Sequence, residues 1–185
     1  MNCEYPPGSM LRPQDVLLAC KLFSLNGRDW TLNGMAEDLG FSVGGIYNCL
    51  DRTNQSQLTV SIKGQDIIVS KKHLFETLAF AVPRVFYAVR GGLETGMPTG
   101  LHVGDLREKF IFIEGSIPLI WPGEIGDVKG ESLQPIYPTV PKVAQRDKVL
   151  YELLALADIV RVGDPKNKKL AISVLEKRIL GDSSR

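Results

Sequence analysis

The chain has few cysteines, no long apolar run and no excess of either charge. Its 185 residues include three cysteines, two histidines, 22 basic and 21 acidic residues. The cysteines lie far apart without CxxC spacing, which fits a reducing compartment. No run approaches the roughly 18 apolar residues that a membrane span needs, and no secretory signal is recognisable. We therefore expect a cytoplasmic protein with no membrane association.

The balance of charge bears on the partner that the chain can bind. Strong non-specific DNA binders usually carry a clear basic excess, so a net charge of +1 counts mildly against nucleic acid. A small basic face on a neutral body would still satisfy the local electrostatics of phosphate contact. The hydrophobic fraction of 44% is enough for a core, and the length suits one domain or one small domain with an appendage.

Nothing in the sequence indicates an enzyme, a metal or a cofactor. His73 and His102 have no second ligand at metal-binding spacing. The cysteines have no nearby histidine that would activate a nucleophile. The glycine-rich "RGGLETGMPTG" lacks the GKS or GKT ending of a phosphate-binding loop, so its glycines more plausibly allow turns.

The first 89 residues contain well-punctuated helices and one hairpin. Residues 1–10 form a polar tail that we expect to be flexible. A first helix begins near Pro13 and stops at Gly27. Thr31 is the expected N-cap of a helix over 32–39, Gly40 supplies a tight turn, and Ser42 is the N-cap of a helix over about 43–52.

Alternating apolar and polar residues then predict a two-stranded hairpin. Leu58, Val60 and Ile62 alternate with polar residues, and Ile67–Val69 return after a short turn. A helix from Lys71 to about residue 82 follows, and Pro83 should end or kink it.

The rest of the chain divides into a glycine- and proline-rich arm and a helical pair. Residues 90–142 predict an extended arm or small β-element, in which "KFIFI" and "IPLIW" are candidate strands. Residues 143–185 predict two helices, the first with a wide apolar stripe. That stripe could pack on the first domain or against a second copy, and we favour a homodimer.

The spacing around Gly40 is typical of a helix-turn-helix. Ala36 is small enough for two helices to cross closely, Gly40 follows in the turn, and Ile46 reaches back into the shared core. A break at Gly40 would tilt the third helix so that its outer face enters a major groove about 12 Å wide. We predict a mainly α fold with a small β-hairpin wing (α+β): a winged helix-turn-helix domain over 11–89, an irregular arm and two C-terminal helices. A helical hairpin within a core is the alternative.

On this interpretation, the third helix and the wing carry the DNA-binding residues. Asn48 can pair with adenine, Arg52 can reach guanine or a phosphate, and the capping hydroxyls can approach phosphates. Two glycines on the third helix allow close backbone approach or merely weaken the helix. The candidate residues are Thr31, Ser42, Gly44, Gly45, Asn48, Arg52, Lys63, Gln65, Lys71 and Lys72.

The stretch "LRPQDVLLACKLF…DWTLNGMAEDLGFSVGGIYNCLDR" resembles bacterial winged-helix transcription regulators. From Leu11 onward the chain is similar to a poorly characterised bacterial group in which such a domain precedes a C-terminal extension. The resemblance implies DNA binding through residues 42–52, and a role as a repressor or as the antitoxin-like partner of a protein encoded nearby. Gly44 and Gly45 stand where winged-helix readers usually have larger residues.

Two functions are therefore open at the sequence level. The first is a sequence-specific, DNA-binding transcriptional regulator that binds double-stranded DNA as a homodimer. The alternative is a protein-interaction adapter that uses a winged-helix fold without DNA, as near-neutral charge and the two glycines would suit.

Overall fold

A computed structural model describes residues 10–61 and 67–181, which form a mixed α and β structure. The first half comprises α1 (Pro13–Leu25), α2 (Leu32–Leu39), α3 (Val43–Gln55), β1 (Thr59–Ser61), β2 (Ile67–Val69) and α4 (Lys71–Glu76). A π-helical turn (Thr77–Ala81) leads to α5 (Val82–Val85), β3 (Arg90–Pro98), a 3-10 turn (Gly100–His102) and α6 (Gly104–Arg107). The remaining elements are β4 (Leu119–Pro122), β5 (Val128–Leu133), α7 (Val140–Ala144), α8 (Lys148–Val162) and α9 (Pro165–Leu180).

In the first half of the chain, the proline and the capping residues lie at the helix starts that the sequence predicts. Pro13 opens α1, where its missing N–H costs no helical hydrogen bond. Thr31 and Ser42 cap α2 and α3, and α3 continues three residues beyond the predicted end at Arg52. β1 and β2 pair in an antiparallel hairpin in which Thr59 lies opposite Val69. The predicted wing residues Lys63 and Gln65 lie outside the described residues.

Pro83 neither ends nor visibly breaks the helical path that begins at Lys71. The path widens into the π-helical turn, in which Val82 donates its N–H to the carbonyl of Thr77, and then continues as α5. A proline is tolerated there because the widened turn lies immediately before it and Pro83 is in the first turn of α5.

Residues 90–133 form a small closed β-unit, which confirms the second of the two alternatives predicted for this region, an extended arm or a small β-element. β3 is antiparallel to both β4 and β5, and β4 is parallel to β5, so each strand pairs with the other two. A Cβ on Gly96 would overlap the backbone of Trp121, and one on Gly130 would overlap the backbone of Pro118. The close approach of the strands therefore requires glycine at these two positions. Of the two candidate strands, "IPLIW" contributes β4, whereas "KFIFI" is not a strand.

α8 is the centre of a hydrophobic core that both halves of the chain share. Its residues are buried continuously from Glu152 to Val160, and it packs against α1, α5 and α9. The apolar stripe on which the dimer prediction rested is thus covered by the chain itself, and the dimer stays a prediction. Within the described residues, no helix is long and apolar enough to cross a membrane.

Candidate nucleic-acid interface

The break between α2 and α3 is produced by a left-handed residue followed by a helix cap. Gly40 has φ +69°, and its N–H bonds back to the last turn of α2. Phe41 then donates its N–H to the carbonyl of Ala36 at 2.9 Å, and Ser42 caps α3. A side chain at Gly40 would be strained by the positive φ and would meet Thr139 Cγ2 at 3.3 Å. The predicted tight turn is therefore present.

The outward face of α3, which we call the α3 face, is not covered by any other described element. Its exposed members are Ser42, Val43, Gly44, Tyr47, Asn48 and Asp51. Asn48 forms no hydrogen bond with the described residues, so its amide is free to pair with a ligand. Gly44 has open space around it, whereas a Cβ on half-buried Gly45 would lie 3.1 Å from Ser42 Oγ. Asp51, the one formal charge of this face, accepts a hydrogen bond from Gln55 at 2.8 Å.

Arg52 does not lie on this face, which corrects the prediction that it reaches DNA. It is 6% exposed, and its Nε and Nη2 donate to the two carboxylate oxygens of Asp15, each at 2.7 Å. Its Nη2 also lies 3.4 Å from the sulfur of Cys49. The bidentate pair raises the pKa of Arg52, against the lowering effect of burial. The buried carboxylate on α1 needs a cation, and Arg52 is the one that reaches it.

The two capping hydroxyls already serve their helices. Thr31 Oγ1 accepts the N–H of Gly34 at 3.0 Å, and Ser42 Oγ accepts the N–H of Gly45 at 3.0 Å. Both side chains are exposed, and each hydroxyl keeps a hydrogen that it can donate to a phosphate oxygen. The predicted caps are therefore confirmed as caps, and their contact with DNA stays a prediction.

Exposed lysines follow the hairpin. Lys71 and Lys72 open α4 behind the cap Ser70, and Lys72 Nζ lies 4.0 Å from Glu76 Oε1. That ion pair joins two exposed side chains, so it stabilises α4 by at most about 0.5 kcal/mol and leaves Lys72 able to exchange partners. Both lysines could contact a phosphate backbone.

The turn before α3 rests on the C-terminal half. The ring of Phe41 contacts that of Tyr137 edge to face, with centroids 5.1 Å apart. On α1, Lys21 and Ser24 both bond to Asp147, the N-cap of α8, at 3.1 and 2.6 Å. Although burial alone would raise the pKa of Asp147, the bonds from Ser24, the Leu150 N–H and Lys21 lower it. The ring contact of Phe41 holds the α2–α3 turn against the C-terminal half, and the bonds to Asp147 hold α1 against the start of α8.

A second buried carboxylate joins α8 to the β-unit. Asp158 accepts hydrogen bonds from Trp121 Nε1 at 2.7 Å, Thr99 Oγ1 at 2.8 Å and Arg161 Nη1 at 2.6 Å. Arg161 also donates to the carbonyls of Phe86, Tyr87 and Gln134. Burial raises the pKa of Asp158, against the opposing effect of Arg161. Because every partner is a fixed part of the fold, we interpret this cluster as structural.

His102 provides a pH-dependent contact outside the α3 face. Its Nδ1 accepts the N–H of Leu119 at 3.2 Å, which requires the neutral ring, and burial together with Arg107 lowers its pKa. The contribution of His102 to the free energy of unfolding should be constant above about pH 6.5, where the histidine is neutral in the unfolded chain as well. It should fall as the pH drops below that value. The unfolded chain then binds a proton that the folded chain resists. We expect the melting temperature to fall more between pH 7.5 and 5.5 in the wild type than in His102→Asn, which keeps an acceptor but does not titrate. Equal decreases would contradict this role.

Comparisons with known protein families, with curated proteins and with solved structures each find no match. Among residues 10–61 and 67–181, no group of three or more histidine, cysteine, aspartate or glutamate residues is arranged to hold a metal ion. The case for a nucleic-acid interface therefore rests on the geometry of the α3 face.

Proposed function

We propose that the chain is a DNA-binding transcriptional regulator of the winged helix-turn-helix class, in which α3 enters the major groove. The observation that carries the proposal is the uncovered α3 face, on which Asn48, six residues after the cap at Ser42, has an amide that bonds to no described residue. An asparagine on such a helix can pair with adenine through both its donor and its acceptor. The hairpin that follows α3 is in the order that a wing requires.

The structure alters the roles within this proposal. Asn48 becomes the principal base-reading residue, and Gly44 allows the start of α3 to approach the groove closely. Thr31 and Ser42 donate their hydroxyl hydrogens to phosphates, and Lys71 and Lys72 supply charge beside the hairpin. Arg52 instead holds α3 against α1 and so sets the angle at which the α3 face is presented.

DNA binding is tested by fluorescence anisotropy with fragments from upstream of the protein's own coding sequence, at two salt concentrations. We expect affinity to fall steeply with salt, since each phosphate contact releases counterions. Asn48→Ala should weaken specific binding by about 1–3 kcal/mol, roughly five- to 150-fold, without changing the salt slope. Gln145→Ala, at an exposed position far along the chain, is the control and should bind as the wild type does. Binding that is unaffected by Asn48→Ala would overturn the assignment of α3.

A protein-interaction adapter remains the second candidate, because the α3 face is more apolar than a phosphate-binding surface needs. Tyr47 is 59% exposed and Val43 is 38% exposed, while Asp51 repels phosphate. Aromatic side chains of this kind are enriched where proteins bind one another. An adapter would show no salt-dependent DNA binding, and Tyr47→Ala would then weaken binding to a protein encoded nearby.

A homodimer fits the regulator better, because two copies would read two half-sites.

A further inference from the structure

The outer edge of β2 carries backbone groups without partners. Ser70 donates its N–H to the carbonyl of Leu58 at 3.0 Å, so residues 58 and 70 are a hydrogen-bonded pair of the antiparallel ladder. Hydrogen-bonded and non-hydrogen-bonded pairs alternate along an antiparallel ladder, so Val60 and Ile68 form the next hydrogen-bonded pair. Ile67 and Val69 belong to non-hydrogen-bonded pairs, and their N–H and C=O groups therefore point away from β1. No described residue bonds to these outward groups.

The opposite edge of the hairpin supports this assignment. Ser61, which pairs with Ile67, directs its N–H outward from β1 and donates it to Asn54 Oδ1 of α3 at 3.2 Å. The edge of β1 is therefore covered by a side chain, whereas the edge of β2 is open. Exposed strand edges are sites at which another strand can add to a sheet.

A groove of about 750 Å³ separates the open edge of β2 from the 26–30 loop. On the opposite wall, Asp29 and Trp30 have no backbone hydrogen bond to any described residue. Leu22, Phe23 and Leu25 at the end of α1 give the groove an apolar lining. The edge of β2 thus presents N–H and C=O groups beside an apolar surface, which is the pattern that an extended backbone can complete.

Two cations give the groove a preferred charge. Arg28 is held in place by its Nε, which donates to the Leu25 carbonyl at 3.0 Å, and by its Nη2, 3.3 Å from the Ser24 carbonyl. Lys71 lies at the end of β2, and Asp29 is the one acidic side chain of the lining. The excess of positive charge favours an acidic occupant.

We propose that this groove binds a single extended segment of a partner protein, in which apolar residues alternate with acidic ones. The segment adds to the outer edge of β2 through the backbone groups of Ile67 and Val69, places its apolar side chains against the end of α1, and sets its carboxylates near Arg28 and Lys71. The alternation of donors and acceptors along the edge of β2 fits a strand rather than a compact small molecule. This proposal is independent of DNA binding.

The test uses two fluorescein-labelled hexapeptides, Val-Glu-Val-Glu-Val-Glu and Val-Lys-Val-Lys-Val-Lys, in anisotropy titrations of the full chain. The acidic peptide should bind saturably, and the basic one about tenfold more weakly or less. Lys71→Gln should weaken binding of the acidic peptide about fivefold, because Lys71 lines the groove. Lys72→Gln is the matched control, since Lys72 is adjacent and exposed but does not line the groove, and it should change binding less than about twofold.

The backbone role has its own readout. Val69→Pro removes an outward N–H and leaves the ladder bonds of the hairpin intact, so the circular dichroism spectrum should persist while peptide binding falls. In the wild type, the acidic peptide should slow amide hydrogen exchange at Ile67 and Val69. The proposal is overturned if the acidic peptide does not bind below about 1 mM, if both peptides bind equally, or if Lys71→Gln and Lys72→Gln have equal effects.

Discussion

Replacing Arg52 by alanine is expected to lower the free energy of unfolding by about 3–5 kcal/mol. The carboxylate of Asp15 is fully buried, and without Arg52 it would be left in a poorly solvated position without its ion-pair partner. Its remaining hydrogen bond, from the N–H of Arg12 at 2.8 Å, does not compensate a full charge. Urea unfolding followed by circular dichroism measures the change.

The matched variant is Asn48→Ala, one helical turn earlier on α3. Asn48 is exposed and makes no hydrogen bond with the residues that the structure describes, so its replacement should change stability by less than about 0.5 kcal/mol. The two variants therefore separate two roles: Arg52→Ala loses stability, whereas Asn48→Ala loses DNA affinity alone. An Arg52→Ala protein that is as stable as the wild type and binds DNA poorly would restore Arg52 as a reading residue.

Gly96→Ala is expected to destabilise the chain by about 3 kcal/mol or more. Gly96 lies where β3 passes from β5 to β4, and an added Cβ would overlap the Trp121 carbonyl and lie 2.9 Å from Pro122 Cα. Both obstacles are backbone atoms, so neither can move aside by a change of rotamer and the two strands must separate. We expect this displacement to cost more free energy than overpacking among side chains. Thermal unfolding measures the effect.

Gly92→Ala in the same strand is the control, because an added methyl group there meets nothing within 4 Å. That variant should stay within about 0.5 kcal/mol of the wild type. If the two variants are equally stable, β3 and β4 are not as close as the structure places them. The comparison tests the close approach of β3 and β4 directly, since two strands that lay farther apart would tolerate alanine at both positions.

Elements with local signals were predictable, and elements that depend on distant pairing were not. Thr31 and Ser42 each precede a helix that begins as expected, because a capping hydrogen bond involves residues three positions apart. The β-unit of residues 90–133 depends on pairs such as Leu93 with Glu131, whose separation along the chain no periodicity reveals. Gly96 and Gly130 were visible in the sequence, but the reason for them is the approach of another part of the chain, which no local pattern reveals.

The same distinction applies to the candidate site. The exposure of Ser42 and Asn48 follows from the helical phase that buried Ile46 and Cys49 set, so sequence reasoning placed them correctly on the outside. The prediction for Arg52 was wrong because its partner, Asp15, is 37 residues away along the chain, beyond the range of any local pattern. The open edge of β2 was also missed, since hydrogen-bond phase is a property of the paired strands rather than of their side chains.

The position of α8 has a consequence for how such a chain can change through evolution. Because α8 packs against α1 on one side and α9 on another, and Asp147 holds Lys21 and Ser24, the two halves cannot be exchanged separately without exposing apolar surface. Recombination that joined a new first half to an old second half would have to preserve this shared wall. Substitutions at Asn48 or Tyr47 carry no such packing constraint, so under the proposed function the specificity of the α3 face can change while the two halves are inherited together.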